Sequence, residues 1–227
     1  MRHILIIGGS KGIGKATLDL LIENNKVTNL SRTAPDVTHP NLTHHSVDVL
    51  DGELPVLETI DGIMYCPGSI NLKPMNRLSI EDFKTDFDIN VIGAVRTIQH
   101  YLPQLKQGVS PSVVLFSTVA VKLGMPFHAS IAVSKAGVEG LTKTLAAEFA
   151  PHIRVNAIAP TVTQTDLAAG ILRNERIIES INERHPLKHF LSPEDAAHLA
   201  VYLLGEQSRS MTGQVIQLDS GIVSVKL

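Results

Sequence analysis

A glycine-rich segment near the amino terminus constrains this chain more than any other feature. The apolar run Ile4–Ile7 predicts a buried strand, Gly8–Gly14 holds four glycines in seven residues, and a helical pattern begins at Gly12. Glycine lets the backbone turn sharply and lets a phosphate approach without a Cβ in the way, and the helix presents free amides to it. This order predicts a site for a diphosphate, with an ordinary tight turn as the alternative.

The rest of the chain alternates short apolar runs with longer helical patterns. Predicted strands are His3–Ile7, Lys26–Leu30, Thr43–Val47, Ile60–Tyr65, Ser112–Phe116, Ile153–Ile158 and Gln214–Leu218. Predicted helices are Gly12–Asn24, Ser79–Leu105, Ala129–Phe149, a helical segment that covers Gln164–Arg184, and Pro193–Leu204; Pro103 is expected to disturb the last turn of the second. Strands without polar alternation, separated by helices, indicate a parallel sheet covered on both faces.

We therefore expect one α/β domain over residues 1–227. It is a Rossmann-type, doubly wound, parallel seven-stranded sheet in three α/β/α layers. Ligands of such sheets bind outside the carboxyl ends of the strands, so the loops after the strands hold the candidate site. The segment at about residues 161–190 is expected to shape the site for a small-molecule substrate.

Charge and cysteine content exclude several classes of protein. The formal net charge is −2, so we expect no nucleic-acid partner and no attraction to an anionic membrane. Cys66 is the single cysteine, which rules out an intrachain disulfide and fits a cytoplasmic protein. The run Ile4–Ile7 is too short to span a membrane. No metal site is expected, because the histidines of the second loop lie in a polar context without ligand spacing.

The residues after the second predicted strand bear on cofactor choice. An acid there would bind the ribose 2′-OH of NAD, whereas an arginine accommodates the 2′-phosphate of NADP. The chain has Ser31 and Arg32 at this place, and Lys11 adds a second cation in the first loop. Each cation alone could be a solvated surface charge, but together they favour NADP(H) over NAD(H).

Several motifs occur in a familiar order. They are Gly8-x3-Gly12-x-Gly14, Asp48 after the third strand, Asn90 in the long helix, Ser134-Lys135-Ala136-Gly137, and Asn156-Ala157-Ile158-Ala159-Pro160. Over essentially its whole length the chain resembles the short-chain dehydrogenase/reductase family. The resemblance implies reversible hydride transfer between a nicotinamide and a carbonyl or alcohol. It also implies a lysine that binds the nicotinamide ribose, and a homodimer or homotetramer formed through the long helices.

The resemblance and the loop positions together give a set of cofactor-binding candidates. These are Gly8, Ser10, Lys11, Gly12, Ile13, Gly14, Ser31, Arg32, Asp48, Val49, Cys66, Gly68, Lys135, Pro160, Val162, Thr163 and Thr165. Cys66 is also expected to be a small packing residue and not a nucleophile. Lys135 is expected to bind cofactor whatever the activity.

The catalytic positions depart from the family pattern. Ile131 stands where the family has its proton-donating tyrosine, and Thr118 stands in place of the serine. The sequence after the fourth strand reads Tyr65-Cys66-Pro67-Gly68 in place of Asn-Asn-Ala-Gly, and Thr161 replaces a glycine. Isoleucine cannot donate a proton, so these changes around one pocket indicate altered chemistry or none.

The remaining catalytic candidates are Asn90, Thr118, Lys135 and His128. His128 lies seven residues before Lys135, the spacing at which the enoyl-reductase branch of the family carries its tyrosine, and histidine can act as an acid near neutral pH. A polar residue at the cleft mouth is the alternative for His128. Asn90 is expected to hold a water or to bond the backbone. Tyr65 could face the ligand, whereas Tyr101 and Tyr202 lie too far away.

Three functions remain open. The first is an NADP(H)-dependent oxidoreductase of a small carbonyl, alcohol or enoyl substrate with a non-standard proton source. The second is a catalytically silent NADP(H)-binding sensor or regulatory subunit. The third is a structural partner with a vestigial nucleotide site. Ile131 favours the second, whereas the retained Asn90 and Thr118 favour the first.

Overall fold

The computed structural model describes residues 1–226 and contains one seven-stranded sheet. The strands β1 to β7 are Arg2–Ile7, Asn25–Ser31, Leu42–Ser46, Gly62–Tyr65, Ser112–Phe116, Arg154–Pro160 and Val215–Leu218. All pairs are parallel, and the strand order is β3-β2-β1-β4-β5-β6-β7. The predicted doubly wound sheet is confirmed, with strand ends that move by one or two residues.

Six α-helices cover the sheet in the described part of the chain. Helices α1 to α6 are Gly12–Leu21, Ile80–Phe87, Gly93–Leu105, Ala129–Phe149, Glu175–Arg184 and Pro193–Leu204. Ser79 begins α2 with a capping box, because its side chain accepts from the Asp82 amide while Asp82 bonds the Ser79 amide. The predicted helix Ser79–Leu105 is therefore right in extent, but it contains a π turn at Asp88–Ile92 that the sequence analysis did not foresee.

Two further helix predictions need correction. Pro103 does not disturb the last turn of α3, which continues to Leu105. The segment Gln164–Arg184 is not helical throughout: a 3₁₀ turn covers Asp166–Ala168, and an α-helix begins only at Glu175. Asn174 starts that helix, because its side chain accepts from the Ile177 amide.

Alternate residues of each strand pack on opposite faces of the sheet. Leu5 and Ile7 belong to the core between the sheet and the α2–α4 side, whereas Ile4 and Ile6 pack with Leu18 of α1 on the other side. Burial on both faces explains why these strands lack polar alternation.

The strand order reverses between β1 and β4, which are neighbours in the sheet. β2 and β3 lie on one side of this pair and β5 to β7 on the other. The loops after β1 and β4 therefore diverge at the carboxyl edge and leave a crevice, which is where ligands of open α/β sheets bind.

Candidate active site

The loop after β1 forms a glycine cradle. Gly8 and Gly12 adopt φ of +81° and +53°, a region that L side chains rarely occupy. A Cβ on Gly14 would lie 2.2 Å from the Gly8 carbonyl oxygen, so the first turn of α1 packs directly on the loop. Lys11 is the N-cap residue and makes no side-chain capping bond. The amides of the first turn therefore keep their capacity to bind an anion.

Basic side chains flank this cradle. The side chains of Arg32 and Lys11 are 82% and 71% exposed. Arg32 lies 3.9 Å from Asp48, and Lys11 lies 3.1 Å from Asp166. Exposed ion pairs contribute little free energy, so both cations can exchange these carboxylates for a phosphate. Asp48 also accepts from the Leu50 amide at 3.0 Å, which holds the carboxylate at the end of β3.

The loop after β4 closes the other side of the crevice. The Cys66 amide donates to the Ile7 carbonyl at 3.0 Å, and a Cβ on Gly8 would lie 3.4 Å from the Cys66 Cβ. Burial raises the pKa of the Cys66 thiol, so the thiol stays protonated and is a poor nucleophile. Its expected packing role fits this environment.

Lys135 and Asn90 meet over Gly68. The Lys135 ammonium donates to the Phe116 carbonyl at 2.8 Å, and burial lowers its pKa to about 8. A Cβ on Gly68 would lie 3.6 Å from Lys135 Nζ and 3.4 Å from Asn90 Oδ1. Among the described residues Asn90 Oδ1 is buried without a hydrogen-bond partner. A lysine donor and an orphaned amide acceptor at one glycine fit the hydroxyl groups of a ribose.

A buried polar cluster holds Asn90 in this place. Its amide nitrogen donates to the Asp86 carbonyl at 2.7 Å and to Ser69 Oγ at 3.1 Å, and it lies 3.4 Å from Ser134 Oγ. The backbone bond is one of the two roles expected for Asn90. Ser69 in turn donates to the Asp86 carboxylate at 2.5 Å. Ser69 and Asp86 escaped the sequence analysis, although Asp86 lies one helical turn before Asn90.

The π turn is stabilised by a tyrosine. Gly93 bonds back to Asp88 across five residues, and the Tyr65 hydroxyl donates to the Ile89 carbonyl at 2.7 Å. Tyr65 is buried in the core between the sheet and α2–α4. The hypothesis that Tyr65 faces the ligand is therefore wrong, because its hydroxyl is committed to the backbone of the turn that carries Asn90.

The positions of the family's tyrosine and serine lie in α4 and just after β5, respectively. Ile131 is 5% exposed, and its carbonyl accepts from Ser134. Thr118 Oγ accepts from the Ala120 amide at 3.3 Å, whereas the preceding Ser117 donates to Glu139 at 2.7 Å. Of this pair, Ser117 is bonded to α4 and Thr118 is not.

His128 sits at the N-cap of α4, three residues before Ile131. Its Nδ1 lies 2.7 Å from the Pro126 carbonyl, so Nδ1 carries a hydrogen and Nε2 is the free nitrogen of the neutral ring. Among residues 1–226 this is the one hydrogen bond of the imidazole ring. The structure thus leaves Nε2 able to serve an acid–base role, and it does not join the ring to Asn90, Thr118 or Lys135 by a hydrogen bond.

The loop after β6 is tied down by a threonine and a histidine. Thr161 Oγ1 lies 2.9 Å from His185 Nε2, and His185 Nδ1 lies 2.7 Å from the Ile181 carbonyl. Leu191 donates to Val162 and accepts from the Gln164 amide. Thr161 therefore replaces the expected glycine with a side chain that ties the start of the segment at residues 161–190 to His185, and backbone bonds hold its end. His185 was missed, since nothing near it in sequence marks its partner.

Three more of the residues predicted around the cofactor follow β6, whereas Val49 packs in the hydrophobic core between the sheet and α2–α4. Pro160 ends β6, Thr163 bonds the Thr161 carbonyl, and Thr165 approaches the position of a Gly12 Cβ to 3.0 Å. The segment that starts at Thr165 thus borders the glycine cradle directly. Between this segment and α1 lies an open cleft of about 480 Å³.

Comparison with known proteins identifies the family of this chain. Residues 12–223 match the family model described as enoyl-(acyl carrier protein) reductase. A solved short-chain dehydrogenase family protein from Francisella tularensis superposes with a TM-score of 0.89 at 26% identity, covering 99% of this chain and 100% of that one. This chain belongs to the short-chain dehydrogenase/reductase family.

Two curated relatives are named for the reactions that they catalyse. A 2,5-dichloro-2,5-cyclohexadiene-1,4-diol dehydrogenase of Sphingobium indicum is 28% identical, over 99% of this chain and 98% of the relative. Carbonyl reductase [NADPH] 2 of Sus scrofa is 27% identical, over 97% and 96%. The relatives support an oxidoreductase that acts on small molecules. In the described part of the chain no helix is long and apolar enough to cross a membrane.

Proposed function

We propose that this chain is an NADP(H)-dependent oxidoreductase of a small carbonyl, alcohol or enoyl substrate, with a proton source other than a tyrosine at position 131. The observation that carries this proposal is the glycine cradle at the β1–β4 crevice, flanked by Arg32 and Lys11. No acid competes for a ribose 2′-hydroxyl at the end of β2. The NADPH named for the porcine relative supports the same cofactor.

The chain's own residues divide the work within the site. The cradle from Gly8 to Gly14 would hold the diphosphate, and Lys135 and Asn90 would hold the nicotinamide ribose. The nicotinamide, when bound, supplies the hydride. Thr118 would orient the substrate oxygen, and the free Nε2 of His128 would donate or accept the proton. A single, half-buried cysteine is consistent with the cytoplasmic location that we propose.

One observation favours a second candidate. Ile131 is packed at 5% exposure in place of the tyrosine and offers no proton. A chain with this residue and an intact cradle would bind NADP(H) without turnover, as a sensor or regulatory subunit. Turnover separates the two candidates, since both require the nucleotide to bind.

The test begins with binding and proceeds to turnover. We expect NADPH to raise the melting temperature and to bind at least about tenfold more tightly than NADH, because two cations face the extra phosphate. The purified chain is then offered ketones, aldehydes and enoyl thioesters, and loss of NADPH absorbance is followed. Binding without oxidation over the panel supports the silent protein, and NADH preference contradicts the assigned cofactor.

Two variants locate the proton source. His128→Phe should lower turnover by about 100-fold while leaving NADPH affinity unchanged, as general acid catalysis contributes roughly that much. Unchanged turnover would remove His128 from the mechanism. Ile131→Tyr should raise the rate of ketone reduction if the pocket is otherwise competent. No gain in ketone reduction or in alcohol oxidation would argue for the silent protein.

We also propose that the protein is a homodimer or homotetramer. The α2–α4 side leaves large apolar side chains in solvent, among them Ile80, Ile92 and Val133. Apolar faces on neighbouring helices are typical of subunit interfaces. Light scattering at micromolar concentration should give a mass of at least two chains, and a monomeric mass would contradict the assembly.

A further inference from the structure

A closed ring of hydrogen bonds joins the loops after β1 and β2. The Gly9 amide donates to Asn29 Oδ1 at 2.8 Å, and Asn29 Nδ2 donates to Ser31 Oγ at 2.9 Å. Ser31 Oγ donates to the Thr33 carbonyl at 2.9 Å, and Thr33 Oγ1 donates to Ser10 Oγ at 3.2 Å. Because Gly9 and Ser10 are consecutive, the four bonds close on themselves.

Asn29 is the buried member on which the ring depends. Its side chain is fully buried in β2, where an unpaired amide would cost about 1–3 kcal/mol. The Gly9 amide can only donate, so Oδ1 faces Gly9, and Nδ2 serves both Ser31 and His44 Nδ1, the latter at 3.1 Å. A Cβ on Gly9 would lie 2.7 Å from Asn29 Oδ1, so the loop approaches this amide as closely as a glycine permits.

The ring holds the two loops that carry the cationic residues Arg32 and Lys11. Arg32 lies between Ser31 and Thr33, and Lys11 directly follows Ser10. The two loops that carry these cations are thus tied together at Thr33–Ser10 and at Asn29–Gly9. The spacing of Arg32 and Lys11 then depends on Asn29, although Asn29 itself is buried beneath the loops and touches no solvent.

We propose that Asn29 is a positioning residue that sets the preference of this protein for a dinucleotide with a phosphate on its adenosine ribose. The proposal rests on the proposed function, because it assumes that Arg32 and Lys11 receive that phosphate. The diphosphate cradle has its own supports, the Gly8–Leu30 backbone bond and the Gly14–Gly8 contact. Loss of the ring should therefore weaken NADPH binding much more than NADH binding.

The test compares both dinucleotides on three variants. Asn29→Leu removes the buried amide at similar volume, and Thr33→Val breaks only the exposed Thr33–Ser10 bond, so it keeps the test valid if the first variant fails to fold. Thr38→Val is the matched control, an exposed threonine of the same loop outside the ring. Dissociation constants for NADPH and NADH are measured by fluorescence titration.

We expect the ratio of NADPH to NADH affinity to fall about tenfold in Asn29→Leu, which corresponds to the loss of one hydrogen bond to a charged group. In Thr33→Val we expect the ratio to fall about threefold, which corresponds to half of that free energy. Thr38→Val should leave the ratio unchanged. An unchanged ratio in both ring variants, or an equal loss for both dinucleotides, would overturn the positioning role alone. A wild-type protein that binds neither dinucleotide, or that does not prefer NADPH, would overturn the proposed function and this inference with it.

Discussion

Replacing Lys135 with methionine is expected to raise the free energy of unfolding at pH 7 while it weakens dinucleotide binding. Burial lowers the pKa of Lys135 from 10.5 to about 8. Below pH 8 the folded chain therefore holds a buried ammonium ion, and this cost is present in full. Between pH 8 and 10.5 the folded chain releases the proton while the unfolded chain keeps it, so stability rises with pH in this window.

The size of this effect follows from the shift in pKa. Each pKa unit corresponds to about 1.4 kcal/mol, so the rise across the window is up to about 3 kcal/mol. Methionine has a similar length and no charge. The Lys135→Met variant should be more stable at pH 7 by about 1–3 kcal/mol and should lack the rise between pH 8 and 10.5. Urea unfolding across this pH range measures both quantities.

The affinity for NADPH should fall in Lys135→Met, although the stability at pH 7 should rise. In the binding mode proposed above, the ribose would lose its donor beside Asn90, and we expect NADPH affinity to fall by at least about tenfold. Lys143→Met is the matched control, since Lys143 is exposed on the same helix. It should alter neither binding nor the pH profile. A less stable Lys135→Met protein, or one with the wild-type pH profile, would show that the buried charge is not a cost to folding.

Gly93→Ala is expected to destabilise the fold by about 3 kcal/mol, the upper end of the cost of overfilling a core. The new Cβ would lie only 2.0 Å from the Tyr65 hydroxyl oxygen and 3.1 Å from Leu50 Cδ2. Either Tyr65 must leave its bond to the Ile89 carbonyl or the π turn must move. Gly140→Ala is the matched control, because in the described part of the chain nothing lies within 4 Å of its Cβ position.

Substitution by alanine should change the free energy of unfolding in opposite directions at the two glycines. Gly140→Ala should stabilise α4 by about 0.5–1 kcal/mol, since alanine is the better helix former. Tyr65→Phe alone should cost about 1 kcal/mol through the lost hydrogen bond. Combined with Gly93→Ala, it removes the colliding oxygen, so the double variant should recover at least about 1 kcal/mol relative to additive losses. Strict additivity in thermal and urea unfolding would contradict the contact.

The fold was predictable because its signals are local. A few neighbouring residues are enough to recognise the glycine pattern of Gly8–Gly14, the apolar strands and the Ser79 cap. The π turn was not predictable, since it depends on Tyr65, which reaches it from another strand. The side of the sheet on which Tyr65 lies could not be read either, because β4 is four residues long and buried on both faces.

Motifs pointed to Asn90 and Lys135, and the structure brings these two side chains together at Gly68. The site was not predictable where residues distant in sequence satisfy one another, as with Thr161 and His185. Asn29 and Asp86 had a signal that could have been used: each is a polar side chain at a position that the surrounding pattern makes buried. A buried polar group must find partners, so such residues deserve a search for them.

The paired attachment of the segment after β6 has a consequence for how this protein can vary. Thr161–His185 and Val162–Leu191 bring the start and the finish of the segment together on the sheet edge. The residues between these contacts, 163–184, thus leave the sheet edge and return to it at neighbouring points. Their sequence and length can change, and with them the shape of the entrance that we propose for a substrate, while the ends of the strands stay where they are.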